Sequence, residues 1–136
     1  MNDCPFCWIA AGHLSAHHVL QDEHTLAFLD IRPATPGHTL VIPRTHARDL
    51  WDITQERHGQ VAAMVHRVAA LLKAALAPEG LNVRHNTGRA AGQDVPHYHV
   101  HVVPRRTGDG LRPGWTPPPA PPQELEQVLA RITQAR

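Results

Sequence analysis

Between positions 55 and 76, apolar residues return at Val61, Met64, Val65, Val68, Leu71, Leu72 and Ala75. This i, i+3, i+4, i+7 spacing lays one stripe along a helix. Core packing accounts for the stripe, and no chemistry is assigned to it. Ala62, Ala63, Ala69, Ala70 and Ala74 leave a flatter side that can meet another element or a second subunit. The stretch 78–80, with Pro78 and Gly80, ends the helix. Elsewhere the apolar runs are short. Residues 19–22 and 25–30 predict a hairpin around Glu23-His24, and residues 39–42 a strand that follows a Pro-rich turn and stops at Pro43. A further strand is expected over 81–86. The opening 3–12 reads as a short helix capped by Asp3, with Pro5 in its first turn and Gly12 at its end. A last helix starts at Gln123 and carries Leu125, Val128, Leu129 and Ile132 on one face. Strands outnumber helices and pair as neighbours, which predicts an α+β fold with an antiparallel sheet.

One run departs from ordinary amphipathic patterning. In Val95-Pro96-His97-Tyr98-His99-Val100-His101-Val102-Val103-Pro104, histidine stands at every second position among aromatic and β-branched residues. Such spacers favour a strand, and alternate strand residues share a face. His97, His99 and His101 would then form a row with neighbours roughly 6.5–7 Å apart. Tyr98, Val100 and Val102 would fill the opposite face. Surface strands mix Thr, Lys and Glu rather than repeating imidazole, so the row reads as chemical.

A chain of 136 residues suits one domain with a real core. With histidine neutral the net charge is +1, so no basic footprint points to nucleic acid or an acidic membrane. No apolar run approaches a membrane span, and the N-terminus lacks the pattern of a signal peptide. Both cysteines sit in Cys4-x-x-Cys7, which offers no disulfide framework and fits a cytoplasmic location. After Pro104 the character changes: Arg105 and Arg106 lead into an extended, partly polyproline stretch around Trp115 and residues 117–122. The two arginines read as solvated.

Several segments together resemble the histidine triad (HIT) family. They are His97-Tyr98-His99-Val100-His101-Val102-Val103, the preceding Asn86-Thr87-Gly88-Arg89-Ala90-Ala91-Gly92-Gln93, and farther back Asp30-Ile31-Arg32-Pro33 and Pro36-Gly37-His38-Thr39-Leu40-Val41-Ile42-Pro43. The resemblance covers about residues 4–105. It implies a five-stranded antiparallel sheet with one long and one or two short helices, continued across a homodimer. It divides the chain into a HIT domain over 1–106 and a Pro-rich tail with a terminal helix over 107–136. It further implies a hydrolase or transferase acting on nucleoside phosphoramidates, adenylylated small molecules or dinucleoside polyphosphates. Competing readings are a nucleotide-binding regulatory module, a dinucleotide phosphorylase, and a metalloenzyme with the three histidines around one ion. The last lacks a nearby carboxylate pair.

A neutral imidazole is a nucleophile near pH 7 and can hold a nucleotide as a phosphoramidate before water releases it. Spacing alone does not say which of the three histidines attacks. The resemblance assigns the attack to His99 and phosphate contact to His101, with His38 behind the row either catalytic or a satisfied core histidine. It places Asn86, Gly92 and Gln93 near the phosphate, although Asn86 and Gln93 also fit a role in tying down the loop. Asp30 matches the position that accepts from ribose hydroxyls, and Phe6, Ile9, Phe28 and Ile31 match the base-clamping positions. Asp94 departs from the Ser or Thr common at its place, which bears on the leaving group. Cys4-x-x-Cys7 is half of a tetrahedral zinc site. The family pattern completes it with His46 and His97 as a closed, structural Zn2+ site.

Overall fold

The computed structural model describes residues 3–111 and 117–136, so the expectation placed on Trp115 lies outside the described residues. Helix α1 (Pro5–Ala10) leads into strands β1 (His18–Gln21), β2 (Thr25–Leu29) and β3 (Thr39–Pro43). Helix α2 (Gln55–Leu76) then returns the chain to β4 (Gly80–Arg84), β5 (Val100–Arg105) and helix α3 (Pro122–Ala135). The strands form one antiparallel five-stranded sheet in the order β1-β2-β3-β5-β4, which leaves β1 and β4 at its edges.

The long helix has the bounds its periodicity predicts. Thr54 caps its first turn, accepting from the Arg57 N–H, and Val61, Met64, Val68, Leu71, Leu72 and Leu76 are buried. Ala77 ends it in the left-handed conformation at φ 48°, and the Arg106 side chain donates to the Leu76 and Ala77 carbonyls. At the N-terminal helix the cap differs from expectation. Cys4 rather than Asp3 is the N-cap, its Sγ accepting from the Cys7 N–H at 3.3 Å. The cysteine spacing thus serves the helix turn as well as side-chain chemistry.

The two sheet faces are chemically distinct. Val19, Ala27, Leu29, Val41, Tyr98, Val100 and Val102 pack with α2 in the main core, which Leu125 and Ile132 of α3 also enter. Phe28, Leu40 and Ile42 point the other way, toward Phe6 and Ile9 of α1, and build a smaller cluster that includes Cys4. The candidate site residues Phe6, Ile9, Phe28 and Cys4 belong to or border this second cluster. No helix among the described residues is long and apolar enough to cross a membrane.

The histidine run is only partly a strand. β5 begins at Val100, so His101 lies on the ladder while His97 and His99 precede it. The backbone there takes other partners. The Tyr98 N–H donates to the Ala47 carbonyl at 2.7 Å and the His97 N–H to the Val95 carbonyl at 2.8 Å. Facing still alternates, because Tyr98, Val100 and Val102 enter the main core while the three histidines turn to the other side.

Candidate functional site

Two histidine assemblies grow from this run. In the first, Cys4 and Cys7 from the start of α1 meet His97 and His46, the latter from the loop after β3. Cys4 Sγ lies 3.3 Å from His97 Nδ1, Cys7 Sγ 3.2 Å from His46 Nδ1, and the two Nδ1 atoms are 3.2 Å apart. His97 Nε2 donates to the Pro43 carbonyl at 2.9 Å, which leaves Nδ1 with its lone pair aimed at the cysteines. Burial lowers the His97 pKa to about 4, so this ring is neutral. Burial and then the Cys4 side chain push the Cys7 thiol up to about 11, a proton that a metal ion would displace on binding. All four ligand atoms lie within 4.8 Å of one another, a grouping that can hold one metal ion.

The second assembly is a hydrogen-bond chain that runs in one direction. The Ala34 N–H donates to His38 Nδ1 at 3.0 Å, so His38 carries its proton on Nε2. That Nε2–H donates to His101 Nδ1 at 2.9 Å, which leaves His101 with a proton on Nε2. Burial, with the Arg84 and His99 charges adding to it, pushes His38 down to about 4. Burial and the neighbouring His99 and His38 push His101 down to about 3, and both rings are neutral near pH 7. Asp30 Oδ2 stands 3.5 Å from His38 Nε2. Asp30, His38 and His101 are close enough to be considered as a ligand set. The proton between the two imidazoles makes them a hydrogen-bond relay instead.

His99 sits between the assemblies. Its Nδ1 donates to the His97 carbonyl at 2.7 Å, so Nε2 holds the lone pair. Burial lowers its pKa, and Nε2 lies 3.4 Å from Asp94 Oδ1. From the opposite side, His85 Nδ1 donates to the His99 carbonyl at 3.0 Å, while the Thr87 hydroxyl holds His85 Nε2 and accepts the Leu50 N–H. His85 was not singled out by sequence reading. It replaces a ladder partner where β4–β5 pairing ends at Arg84 and His101, and no motif marks that position.

His99, His101, Asp30 and Asp94 line a cavity of about 800 Å³ together with Phe6, Ile9, Phe28 and Ile31. The Phe6 ring meets Phe28 and His99 edge to face, with centroids 5.5 and 5.2 Å apart. Ile31 is 60 % exposed at the mouth, so its side chain is open to a flat ligand. Asp30 accepts from the Arg32 N–H at 2.9 Å, and burial raises its pKa. The cavity therefore offers an apolar slot at one end and an unprotonated imidazole nitrogen beside an imidazole N–H at the other. Glu126 and Pro122 of α3 also line it, a contribution from the C-terminal helix that sequence reading did not anticipate.

Three expected residues make contacts within and around their loop. Gln93 accepts from the Gly88 N–H at 2.8 Å and donates to the Arg48 and Val95 carbonyls at 2.6 and 3.0 Å. Its side chain ties the loop down, the second of the two roles its position allows. Asn86 Nδ2 donates weakly to the Gly92 carbonyl at 3.4 Å. Gly92 closes the short 3-10 turn Arg89–Ala91 at φ 95°, and a Cβ there would meet Asn86 Nδ2 at 3.4 Å. Asn86, Gly92 and Gln93 stand in the loop before the histidine run rather than in the wall of the cavity.

Comparison with known proteins bears on the whole chain. Residues 11–108 match the family model described as HIT domain. Protein hit of Bacillus subtilis is 40% identical over 135 residues, covering 97% of this chain and 93% of that one. The adenosine 5′-monophosphoramidase hnt1 of Schizosaccharomyces pombe is 36% identical over 131 residues, 96% of each chain. Among solved structures, a HIT-like protein from Bartonella henselae, described as involved in cell-cycle regulation, superposes with a TM-score of 0.89 at 32% identity, covering 100% of this chain and 98% of that one. A Zn-bound histidine triad family protein from Mycobacterium smegmatis superposes with a TM-score of 0.83 at 41% identity, covering 97% and 94%. By its matched segment, its relatives and its five-stranded fold, the chain belongs to the HIT family.

Proposed function

We propose that this protein is a nucleotidyl hydrolase or transferase working through a covalent nucleotidyl-His99 intermediate. The observation that carries the reading is the 2.7 Å hydrogen bond from His99 Nδ1 to the His97 carbonyl, which frees Nε2 at the base of the cavity. Nε2 attacks the phosphorus, and the bond from phosphorus to the leaving group breaks as the P–N bond forms. His101 Nε2–H, pointed by the His38 relay, donates to a phosphate oxygen and stabilises charge developing there. The leaving group departs with its electron pair and takes a proton from solvent. Water then attacks the phosphorus and gives a proton to solvent, the P–N bond breaks, and the nucleotide leaves with His99 neutral again. The base occupies the slot of Phe6, Ile9, Phe28 and Ile31, and Asp30 accepts from the ribose hydroxyls. The phosphoramidase activity in the name of the S. pombe relative supports this substrate class.

The cysteine–histidine cluster is proposed to hold Zn2+. Tetrahedral zinc with ordinary bond lengths keeps N···N near about 3.3 Å and S···N near about 3.5 Å. The 3.2 Å between the two Nδ1 atoms and the 3.2, 3.3 and 3.5 Å from sulfur to nitrogen agree with that geometry. The carbonyl of Pro43 on the far nitrogen of His97 is the usual outer partner of a metal-bound imidazole. Four protein ligands make the site structural, and the ion would anchor α1, and with it Phe6 and Ile9, against the histidine run.

Assembly as a homodimer is proposed through β4. This edge strand is mostly exposed, with Val83 53 % accessible, so its free edge is open to a second copy.

Mass spectrometry of protein quenched during reaction with adenosine 5′-phosphoramidate tests the mechanism. An AMP adduct on His99 is the expected result. Tight AMP binding with no adduct and no turnover would replace the enzyme reading with a nucleotide-binding module.

A further inference from the structure

Strand register places a row of side chains across the site face of the sheet. Phe28 pairs with Leu40, Leu40 with His101, and His101 with Arg84. Directly paired residues in antiparallel strands share a face, with Cβ atoms about 4.5–5.5 Å apart. The row therefore runs from the apolar slot through the imidazole N–H of His101 to a guanidinium on edge strand β4. Arg84 is exposed, and among the described residues it has no ion pair or side-chain hydrogen bond. Its charge is felt inside the site, acting on Asp30, His38 and His101. Arg84 stands beside the cavity on the edge strand paired with His101, whereas the arginine in the cavity wall, Arg32, lies at the apolar end beside Ile31.

With a base over Phe28 and Leu40 and its phosphate at His101, the substituents of phosphorus facing away from the base meet Arg84. Pairing of β4 with a second copy would leave this side chain in place, because strand side chains stand perpendicular to the hydrogen-bonding edge. We infer that Arg84 forms the leaving-group subsite of this protein and that it takes an anionic group, such as a phosphate, attached to the nucleotidyl phosphorus. A planar fork of donors suits a phosphate or carboxylate, whereas a neutral amine offers it no partner. This inference rests on the reading of the cavity as a nucleotide site. It narrows the substrate classes to nucleotides conjugated through phosphorus to an acid. Asp94, on the His99 side, limits where such a charge can lie and leaves the Arg84 side for it.

Binding measured by calorimetry, without turnover, tests the subsite. The probes are AMP, α,β-methylene-ADP and the phosphoramidate of AMP with glycine, the last two added to His99→Ala protein so that no bond is cleaved. Arg84→Gln should weaken α,β-methylene-ADP about tenfold more than it weakens AMP. Arg84→Lys should lose less, because the charge remains. Loss for both conjugates assigns the subsite to anions in general, and loss for α,β-methylene-ADP alone assigns it to phosphate. Equal weakening of AMP and both conjugates would show that Arg84 touches only the nucleotide's own phosphate and would overturn the inference. No change with any probe would overturn it as well. Failure of the wild-type chain to bind AMP would sink the nucleotide reading itself and the subsite with it. Far-UV circular dichroism and melting temperature of each variant show whether an altered affinity reflects a folded protein.

Discussion

The histidine run feeds two assemblies that use the same side chain in opposite ways. Around His97, lone pairs and thiols converge from four residues, and the outward nitrogen is held by the Pro43 carbonyl. Around His101, each imidazole donates to the next, from the Ala34 N–H through His38 to a proton presented at the cavity. His97, His38 and His101 are neutral for the same reason, burial. What separates a ligand cluster from a proton relay is whether the backbone group that meets the ring is a carbonyl or an N–H. At His97 Nε2 the backbone partner is a carbonyl, which turns the lone pair of Nδ1 inward. At His38 Nδ1 it is an N–H, which turns a proton inward. One backbone dipole decides whether an imidazole offers electrons or a hydrogen.

The comparison breaks most sharply at His99. His99→Ala should lower turnover of a nucleotidyl substrate by roughly 10³-fold or more while nucleotide binding stays within about tenfold, because it removes the bond-forming atom and not the slot. Metal content measured on the same variant should be unchanged. Loss of metal together with turnover would mean the two assemblies are one unit.

Cys7→Ala attacks the other assembly. Elemental analysis of the wild-type protein should find about one zinc per chain, the variant should lose it, and melting should fall by about 10 °C or more. A chain that melts identically with and without a chelator would remove the zinc.

The relay should show itself in acid. The unfolded rings of His38 and His101 take up protons near the ordinary 6.5, whereas the folded ones resist until about 4 and about 3. The unfolded chain therefore binds more protons in that window, and stability falls as pH drops below 6.5. A loss of about 4 kcal/mol on reaching pH 5, about 2 from each ring, is expected from denaturant titrations. His38→Asn should flatten the slope, and a slope identical to wild type would exclude the relay histidines as its source.

The smallest effect belongs to the ring between the assemblies. Phe6 meets both His97 and His99 edge to face, at 5.9 and 5.2 Å. Phe6→Leu keeps most of the volume and should cost about 1 kcal/mol. A modest rise in KM for the nucleotide should accompany it, since the ring also walls the slot.

What could be read from the chain alone was whatever local periodicity encodes. The apolar stripe from Val61 to Ala75 located α2, whose buried face follows from spacing of three and four residues. Alternation from His97 to Val102 predicted which side chains turn to the core and which to the site, and that division holds although β5 starts only at Val100. The resemblance to the HIT family pointed to His46 and His97 as partners for the cysteine pair, and the four side chains do meet. Tertiary structure decided the rest. The cap passed from Asp3 to Cys4 because the Cys4 sulfur lies where the Cys7 N–H needs an acceptor. Gln93 was drawn to the Arg48 carbonyl, a group distant in sequence that no motif announces. Arg84 came opposite His101 only because β5 runs between β3 and β4. The protonated nitrogen of each histidine was set by the Pro43 and His97 carbonyls and the Ala34 N–H. Side-chain periodicity is written in residue types, but backbone N–H and C=O groups are the same at almost every residue, so only the folded chain determines which of them each imidazole meets.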